Sequence, residues 1–426
     1  MKAKNMIMKL QTGRMRVLKA GLMSCLMCVS SALTADSDRF GIFVHWGLYA
    51  IPGQGEWAMY RNGIPEAEYA ELAKSWNPRV GAEEDMVRAA VRGGARYMVF
   101  TTRHHDGFSL FASKANAFNS MNTPAKRDHV RAYVEACRKQ GVKVGFYYSL
   151  VDWRLRDSDP AAMKRQAWAE VEQLMTEYGR IDFLWYDGSW SPKGSTVAEF
   201  WDSEKLNAAV RRWQPGILIN DRAGTKEDIQ TIEGRNIPRP PEGATRWESC
   251  LTLQDDDWSF WGYCNYTAFR KTPEQIVCQL LHCLELGGNL LVNIGPSGSG
   301  EVDPWQRELL AKVGDWIAAH REAVYGSHPT EVAARTPLAK GWSGNSCGFF
   351  TEADDRYYLF LHAWPGERTT FPYFTGKVKA VRLNGSDVRF TLDETAGRLT
   401  LTGLPKLPPP DICPVVELFK DDAVAR

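Results

Sequence analysis

The sequence predicts an α/β fold, a TIM-type (β/α)8-like barrel with room for irregularity, followed by a small C-terminal antiparallel β-sandwich. From about residue 40 to 294, short apolar runs bounded by turn residues alternate with longer helical patterns. Such alternation is typical of a parallel sheet wrapped by helices. After about residue 327 the runs become short, rich in β-branched and aromatic residues, and punctuated by glycines, which favours antiparallel strands.

The first 35 residues differ from the rest of the chain. Basic residues precede an apolar run at 20–29, and small residues follow it as far as Ala35. This order is typical of a signal peptide, and the run is shorter than the about 20 residues that a membrane-spanning helix needs. We therefore predict export to the periplasm or cell exterior after cleavage near Ala35, with no membrane span. Lipid attachment at Cys25 is the less favoured alternative.

We accordingly predict a signal peptide at residues 1–35, a catalytic barrel at 36–327 and a sandwich at 328–421. A formal net charge of +1 gives no indication that the protein binds nucleic acid or an anionic membrane surface. Nine cysteines include Cys25 and Cys28 of the signal peptide, and the spacings of the others match neither a zinc site nor a disulfide framework. We expect mostly buried thiols with at most one or two bridges.

The barrel strands are predicted from the apolar runs, taken in order. They lie at residues 41–46, 97–102, 142–148, 181–187, 217–220, 246–250 and 289–293. Helical spacing of Val130, Tyr133, Val134 and Cys137 predicts a helix over 129–140, which Gly141 ends. A further helical pattern covers 304–323. In the C-terminal region, runs at 357–361 and 378–383 predict strands, and Gly385, Gly397 and Gly403 mark turns.

Polar side chains follow several of the barrel strands. In such barrels the catalytic groups lie at the carboxyl ends of the strands. Each such residue taken alone has an ordinary structural explanation, but agreement among several strand ends favours a functional site. The strand ends carry His45, Arg103-His104-His105-Asp106, Tyr147-Tyr148-Ser149, Asp187 and Asn220-Asp221-Arg222.

Asp187 is the strongest candidate for a catalytic residue. It shares a strand face with Trp185, and Gly188 after it allows a ligand to approach the backbone closely. The alternative is a carboxylate that caps the next helix. A carboxylate in a pocket beside an indole suits glycosyl transfer, which requires a second carboxylic acid to protonate the leaving oxygen. Spacing alone does not choose this partner, and the candidates are Glu233, Glu242 and Glu248.

Histidine ligation of a metal ion is a weaker hypothesis. His104 and His105 are adjacent, so on a strand they would point to opposite faces and would not converge on one ion. The sequence has neither a His-x-His pair nor a His-Glu-x-x-His helix, and its glycine-rich stretch at 287–300 lacks a phosphate-loop ending. We therefore predict no metal site and no phosphate-binding loop.

Several motifs, taken together, resemble the α-L-fucosidases of glycoside hydrolase family 29. They are RFGIFVHWG at 39–47, GEW at 55–57, TTRHHDGF at 101–108, LWYDG at 184–188, NDR at 220–222, WGY at 261–263 and GGNLLVNIGP at 287–296. The resemblance runs from about residue 39 to 327, in the family's order. It implies a retaining exo-enzyme that removes terminal α-L-fucose from fucosylated oligosaccharides or glycoprotein glycans by double displacement, without metal or organic cofactor.

The resemblance also implies roles for individual residues. Asp187 matches the nucleophile, Arg222 would add a charged donor, and Trp185 would line the nucleophile's side. Tyr147, preferred to Tyr148, matches a strand-end tyrosine, and Trp261 would face the sugar's methyl group. The residues that would hold sugar hydroxyls are His45, Glu56, Trp57, His104 and His105.

The acid/base is predicted to be Glu233, because the stretch at 231–238 resembles the family's acid/base segment. Glu248 belongs to a Trp-Glu pair that more plausibly orders its strand, and Glu242 lies in a proline-rich loop. Two rival functions stay open, namely an exo-glycosidase acting on a related sugar such as a galactoside and a catalytically inactive carbohydrate-binding protein. Linkage preference and oligomeric state are not specified by the sequence.

Overall fold

The computed structural model describes residues 38–234, 238–255, 260–266, 269–332, 337–338, 342–343 and 347–421. The predicted signal peptide, with Cys25 and the cleavage position at Ala35, lies outside these ranges. Residues Arg39–Arg426 form one compact unit. No helix within the described ranges is both long enough and apolar enough to cross a membrane.

The first part of the unit is built around a closed parallel sheet. Its strands and the small hairpin beside it are β1 Phe40–Val44, β2 Tyr97–Arg103, β3 Lys143–Ser149, β4 Phe183–Asp187, β5 Leu218–Ile219, β6 Gln230–Glu233, β7 Trp247–Thr252, β8 Gln254–Asp255, β9 Phe269–Arg270 and β10 Asn289–Ile294. Eight of them form one sheet in the order β5-β4-β3-β2-β1-β10-β7-β6. A parallel bridge between Asn220 and Ile229 joins its two edges, so the sheet closes into the predicted barrel.

The two-residue period of the strands decides which side chains enter the barrel. Phe43, Tyr147 and Trp185 lie in the interior cluster, whereas their neighbours in sequence, such as Val44 and Tyr148, pack outward against the helices. Phe43 and Trp185 meet edge to face with ring centroids 5.2 Å apart. The alternation therefore places Tyr147 and Trp185 on the barrel axis and excludes Tyr148 from it.

Helices cover most of the barrel. They are α1 Ala58–Arg61, α2 Glu66–Glu71, α3 Ala82–Arg92, α4 His129–Gln140, α5 Trp153–Arg156, α6 Pro160–Glu177, α7 Val197–Trp201, α8 Ser203–Trp213, α9 Pro273–Glu285, α10 Pro304–Ala319 and α11 Arg321–Tyr325. The predicted bounds of α4 are confirmed, because Asp128 accepts from the Arg131 N–H at its start and Gly141 adopts a left-handed conformation at its end. The helical pattern at 304–323 is divided at His320 into α10 and α11.

One side of the barrel departs from the regular pattern. Among the described residues, only a short 3₁₀ turn, Asp221–Ala223, separates β5 from β6, and no helix lies between β6 and β7. Strand β6 was not predicted from the sequence, because Gln-Thr-Ile-Glu is short and mostly polar. The missed strand ends at Glu233.

The C-terminal part consists of antiparallel sheets, as predicted. Its strands are β11 His328–Pro329, β12 Pro337–Leu338, β13 Trp342–Ser343, β14 Phe349–Glu352, β15 Arg356–Phe360, β16 Arg368–Pro372, β17 Val378–Leu383, β18 Ser386–Asp387, β19 Arg389–Asp393, β20 Arg398–Thr402 and β21 Val415–Lys420. A six-stranded sheet has the order β11-β14-β15-β21-β17-β18, and a three-stranded sheet has the order β16-β20-β19. The division of the chain at residue 327 stays a prediction.

The six-stranded sheet has two apolar faces. Phe350 and Leu359 belong to the core shared with the three-stranded sheet. Phe349 and Phe360, one residue away on the same strands, belong to the core of the barrel. Burial on both faces explains why these strands read as nearly continuous apolar runs.

The described residues contain seven free cysteines, and five of them are buried. Burial raises the pKa of Cys137 to about 12, which keeps this thiol protonated near neutral pH. The expectation of mostly buried thiols is thus confirmed.

Gly314 marks the closest contact between helices α10 and α3. A Cβ atom at this position would lie 1.9 Å from the backbone oxygen of Arg92. We expect Gly314→Ala to lower the free energy of unfolding by about 1–3 kcal/mol, because the helices must separate. Urea unfolding measures this, with Lys312→Ala on the exposed side of α10 as control, where we expect a change within about 0.5 kcal/mol. Equal stabilities of the two variants would contradict the contact.

Candidate active site

A cavity of about 760 Å³ opens at the carboxyl ends of the barrel strands. All the residues to which the family resemblance assigns a role line it, whereas the other strand-end residues, and Glu242 and Glu248, do not. The residues with an assigned role are His45, Glu56, Trp57, His104, His105, Tyr147, Trp185, Asp187, Arg222, Glu233 and Trp261. The structure therefore brings this whole set together in one site.

Asp187 is the last residue of β4, and its carboxylate is surrounded by donors. The Tyr147 hydroxyl donates to its Oδ2 at 2.8 Å. Nε2 of His105 lies 3.5 Å from the same oxygen, and Nη1 of Arg222 lies 3.5 Å from Oδ1. Burial opposes ionisation, but these groups and the Gly188 N–H outweigh it and hold the pKa of Asp187 below its ordinary value. The carboxylate is therefore ionised at neutral pH.

The alternative role of Asp187 as a helix cap is wrong. The next helix, α7, begins only at Val197, and Thr196 caps it through a capping box with Glu199. Asp187 instead ends its strand at a turn in which Gly188 has a φ of 72°. A Cβ on Gly188 would lie 2.9 Å from Cβ of Val151, so this close turn requires glycine.

Glu233, at the end of β6, is the one of the three candidate acids that lines the cavity. Its Oε2 accepts from Nη2 of Arg222 at 2.7 Å, and its side chain is 45% exposed. One guanidinium thus bridges Glu233 and Asp187. Glu242 is exposed outside the cavity. Glu248 is buried deeper in the barrel, where it accepts from the Trp185 Nε1–H at 3.1 Å and from the Tyr97 hydroxyl.

His104 and His105 both line the cavity, with ring centroids 4.2 Å apart. The expectation that they point to opposite faces is wrong, because β2 ends at Arg103 and the pair lies in the turn beyond it. Nδ1 of His105 lies 2.7 Å from Oγ of Ser149, whose hydroxyl donates to the Val151 carbonyl. Ser149 therefore accepts from Nδ1–H of His105, which directs Nε2 toward Asp187.

His45 is held in one tautomer by Asn293, a residue that the sequence analysis did not select. Nδ2 of Asn293 donates to the Trp261 carbonyl at 2.6 Å, so its Oδ1 must accept from Nδ1–H of His45, at 2.7 Å. Burial lowers the pKa of His45 to about 3. The neutral ring therefore offers Nε2 to the cavity as a hydrogen-bond acceptor. The sequence feature that could have identified Asn293 as a site residue is its position near the carboxyl end of β10.

Glu56 fixes the backbone of Trp261 from the other side. Its Oε2 accepts from the N–H groups of Trp261 and Gly262 at 2.9 and 2.8 Å. Burial raises the pKa of Glu56 to about 7. Glu56 and Asn293 together orient the Trp261 ring, whose centroid lies 5.2 Å from that of His45. Sequence spacing did not reveal this support, because the partners lie far apart in the chain.

Two of the three cavity histidines are already engaged with neutral partners through Nδ1. Nδ1 of His45 and Nδ1 of His105 are held by Asn293 and Ser149. Among the residues that the structure describes, no three His, Cys, Asp or Glu side chains form a group that could hold a metal ion.

The family model described as Alpha-L-fucosidase matches residues 32–322, which span the barrel and every residue of the site. The chain belongs to the alpha-L-fucosidase family. The resemblance seen in the motifs is confirmed, and the protein is a glycoside hydrolase of this family.

Relatives of this alpha-L-fucosidase family member cover nearly its whole length. Tissue alpha-L-fucosidase of Rattus norvegicus is 28% identical over 88% of this chain and 86% of its own. Alpha-L-fucosidase isoenzyme 1 from Paenibacillus thiaminolyticus is 32% identical, with a TM-score of 0.79 over 91% of this chain and 97% of that one. A Bacteroides thetaiotaomicron GH29 alpha-L-fucosidase, a trapped covalent intermediate in complex with 2-fluoro-fucosyl fluoride, is 26% identical, with a TM-score of 0.80 over 90% and 94% of the chains.

The raised pKa of Glu56 makes the stability of this fucosidase family member depend on pH. Its carboxyl group has a pKa of about 7 in the folded protein against 4.5 ordinarily. It therefore contributes stability that is fully present below about pH 4.5 and is lost as the pH rises through 7. In Glu56→Gln the amide oxygen still accepts from both N–H groups, but this dependence disappears.

We expect the stability of Glu56→Gln, relative to the unmodified protein, to rise by up to roughly 3 kcal/mol between pH 4.5 and 7.5. Urea unfolding at both pH values measures the difference. Glu66→Gln, on the exposed side of α2, controls for the loss of one carboxylate. If the difference in unfolding free energy between Glu56→Gln and the unmodified protein stays constant with pH, burial does not raise the pKa of Glu56.

Proposed function

We propose that the protein is a retaining exo-α-L-fucosidase that releases terminal α-L-fucose from fucosylated glycans. The observation that carries this proposal is the pair Asp187 and Glu233, which line one cavity and share Arg222. Retaining glycosidases use two carboxyl groups in this way, one as nucleophile and one as acid/base. The family match and the covalent intermediate trapped in a related enzyme support the same reaction.

In the first step, Asp187 attacks the anomeric carbon of the fucosyl residue. Oδ2 accepts from the Tyr147 hydroxyl and has His105 beside it, whereas Nη1 of Arg222 lies 3.5 Å from Oδ1. We assign the new C–O bond to Oδ1, which is the less occupied oxygen. Glu233 donates a proton to the glycosidic oxygen as its bond to the anomeric carbon breaks, and the leaving sugar departs as an alcohol. The donors around Asp187 favour its ionised form, which is the form that attacks.

In the second step, Glu233, now a carboxylate, removes a proton from a water molecule. The oxygen of that water attacks the anomeric carbon and displaces Asp187, which returns to its carboxylate form. Two inversions give net retention, so fucose leaves with the α configuration of the substrate. Arg222 contacts both carboxylates and also lies 5.1 Å from the centre of the Trp185 ring, so its guanidinium is held between the two reacting groups.

Six further residues of the cavity recognise the sugar. We assign His45, Glu56, Trp57, His104 and His105 to its hydroxyl groups. Because the neutral His45 offers Nε2 as an acceptor, the hydroxyl that it meets is a donor. Trp261, oriented by Glu56 and Asn293, presents an apolar ring to the methyl group that distinguishes a 6-deoxy sugar from galactose.

A panel of aryl glycosides tests the proposed function. We expect turnover of 4-nitrophenyl α-L-fucoside, weaker or absent turnover of the galactosides, and α-L-fucose as the first product in a proton NMR time course. A chelator should leave the rate unchanged. Turnover of a galactoside but not of the fucoside would show that the enzyme acts on a related sugar. Binding of fucose without turnover would identify an inactive carbohydrate-binding protein.

We further propose that the protein acts outside the cytoplasm, after cleavage near Ala35, on oligosaccharides or glycoprotein glycans. The order of basic, apolar and small residues at 1–35 supports this location. Sequencing the N-terminus of the mature protein tests it.

A further inference from the structure

The mouth of the cavity contains side chains that the proposed sugar contacts do not use. Trp153 and Trp190 are the large aromatic residues among them. The leaving oxygen must receive its proton from Glu233, so the group attached to this oxygen lies on the Glu233 side of the fucosyl residue. Side chains that line the mouth of the cavity on the Glu233 side are therefore placed to contact the leaving group.

Trp190 lies on that side. It belongs to the tight turn that follows Asp187, and its N–H donates to the Gly188 carbonyl at 2.7 Å. The hydroxyl of Ser189, next to it, donates to the carbonyl of Arg222 at 2.6 Å. Because the side chain of Arg222 is paired with Glu233, these contacts place the turn beside the proposed acid/base.

The indole of Trp190 is held in place by helix α7. Nε1 of Trp201 donates to the Trp190 carbonyl at 2.8 Å, and the Trp190 ring meets Phe200 edge to face with centroids 5.8 Å apart. The ring is nevertheless only half-buried. Its own Nε1–H donates to no acceptor among the described residues. An ordered indole with an uncovered face and a free donor thus stands at the mouth.

Trp153 lines the mouth beside His105. Its N–H donates to the His105 carbonyl at 2.8 Å, and its ring lies 5.2 Å from Trp57 and 5.6 Å from Tyr60. Tyr60 is 57% exposed. A continuous row of aromatic rings therefore leads from the proposed fucose contacts to the surface.

We propose that Trp190 forms the binding site for the leaving group, and that this group is a hexopyranose ring of the glycan. The inference rests on the proposed function and adds its second subsite. A pyranose has an apolar face of C–H groups, which packs on an indole, and hydroxyl groups at its edge, which accept from the indole N–H. A glycan substrate would then be recognised at two adjacent sugars.

The test compares two substrates that share the fucosyl group. One is α-L-fucosyl fluoride, whose leaving group is a single atom, and the other is a disaccharide of fucose linked to galactose. We expect Trp190→Ala to lower the ratio of kcat/KM for the disaccharide to kcat/KM for the fluoride by about tenfold. Trp190→Phe, which keeps an aromatic face, should retain most of the ratio.

Two further variants keep the test decisive. Trp190→Leu preserves an apolar side chain if the alanine variant fails to fold, and it should lower the ratio as alanine does. Trp364→Ala, at a tryptophan packed against the sandwich core, is the control and should leave the ratio unchanged. If the Trp190 variants lose kcat/KM equally on both substrates, or if the ratio of the two kcat/KM values stays unchanged in every variant, the proposed leaving-group site is wrong. An unmodified protein that is inactive on both substrates would instead overturn the proposed function.

Discussion

Replacing Asp187 by alanine is expected to lower kcat on an aryl α-L-fucoside by a factor on the order of 10⁴ or more. The loss has this size because the covalent intermediate cannot form without the carboxylate. Added azide should restore part of the activity by entering the space of the missing side chain. Since azide then attacks directly, the product should be the β-fucosyl azide, with inverted configuration.

A trapping experiment tests the same assignment without a mutation. Incubation with 2-deoxy-2-fluoro-fucosyl fluoride should add one sugar to the protein, and peptide mass spectrometry should locate it at Asp187. The matched control for Asp187→Ala is Asp157→Asn, at a carboxylate that is 72% exposed and paired with Arg156. This variant should retain full activity. A label on any other residue would remove Asp187 from the role of nucleophile.

Replacing Glu233 by alanine should give a different pattern. We expect kcat/KM to fall by roughly 10²–10⁴-fold on substrates with a poor leaving group, which need a proton from the enzyme. Dinitrophenyl fucoside, whose leaving group needs no proton, should lose far less. With azide, the variant should yield the α-fucosyl azide, because azide replaces water in the second step and configuration is retained.

Two glutamates of the same region provide controls for this variant. Glu242→Ala removes an exposed carboxylate and should leave both substrates unaffected. Glu248→Gln should not show the leaving-group dependence, since Glu248 is buried against Trp185 and Tyr97. If the dependence on the leaving group appears in either control and not in Glu233→Ala, the acid/base assignment is wrong.

The sequence predicted those parts of the molecule in which local pattern and burial agree. Strand β4 was recognised because its apolar residues end abruptly at Asp187, and helix α4 because its apolar positions repeat between two capping residues. Strand β6 was missed for the opposite reason, since three of its four residues are polar and it lies where the barrel lacks a covering helix. The strand was missed although the carboxylate at its end was selected.

Contacts between distant parts of the chain could not be predicted in this way. The hydrogen bond between His45 and Asn293 joins residues 248 positions apart, and the bond between Glu56 and the Trp261 N–H joins residues 205 positions apart. No spacing rule connects such partners. The orientation of His104 and His105 was also wrong, because a strand pattern does not show at which residue the strand gives way to a turn.

The two proposed catalytic carboxylates are held by different numbers of contacts, since Tyr147, His105 and Arg222 surround Asp187 and Arg222 pairs with Glu233. Strand β4 pairs with β3 from Gly145↔Phe183 to Ser149↔Asp187, so the main chain of Asp187 is fixed by the sheet itself. Strand β6 pairs along its length with β7, while at its other edge the described residues show the bridge between Asn220 and Ile229. The side chain of Glu233 then depends on a half-exposed ion pair with Arg222. We therefore expect Asp187 to keep one position against the sugar that is attacked, and Glu233 to adjust its position to leaving groups of different sizes.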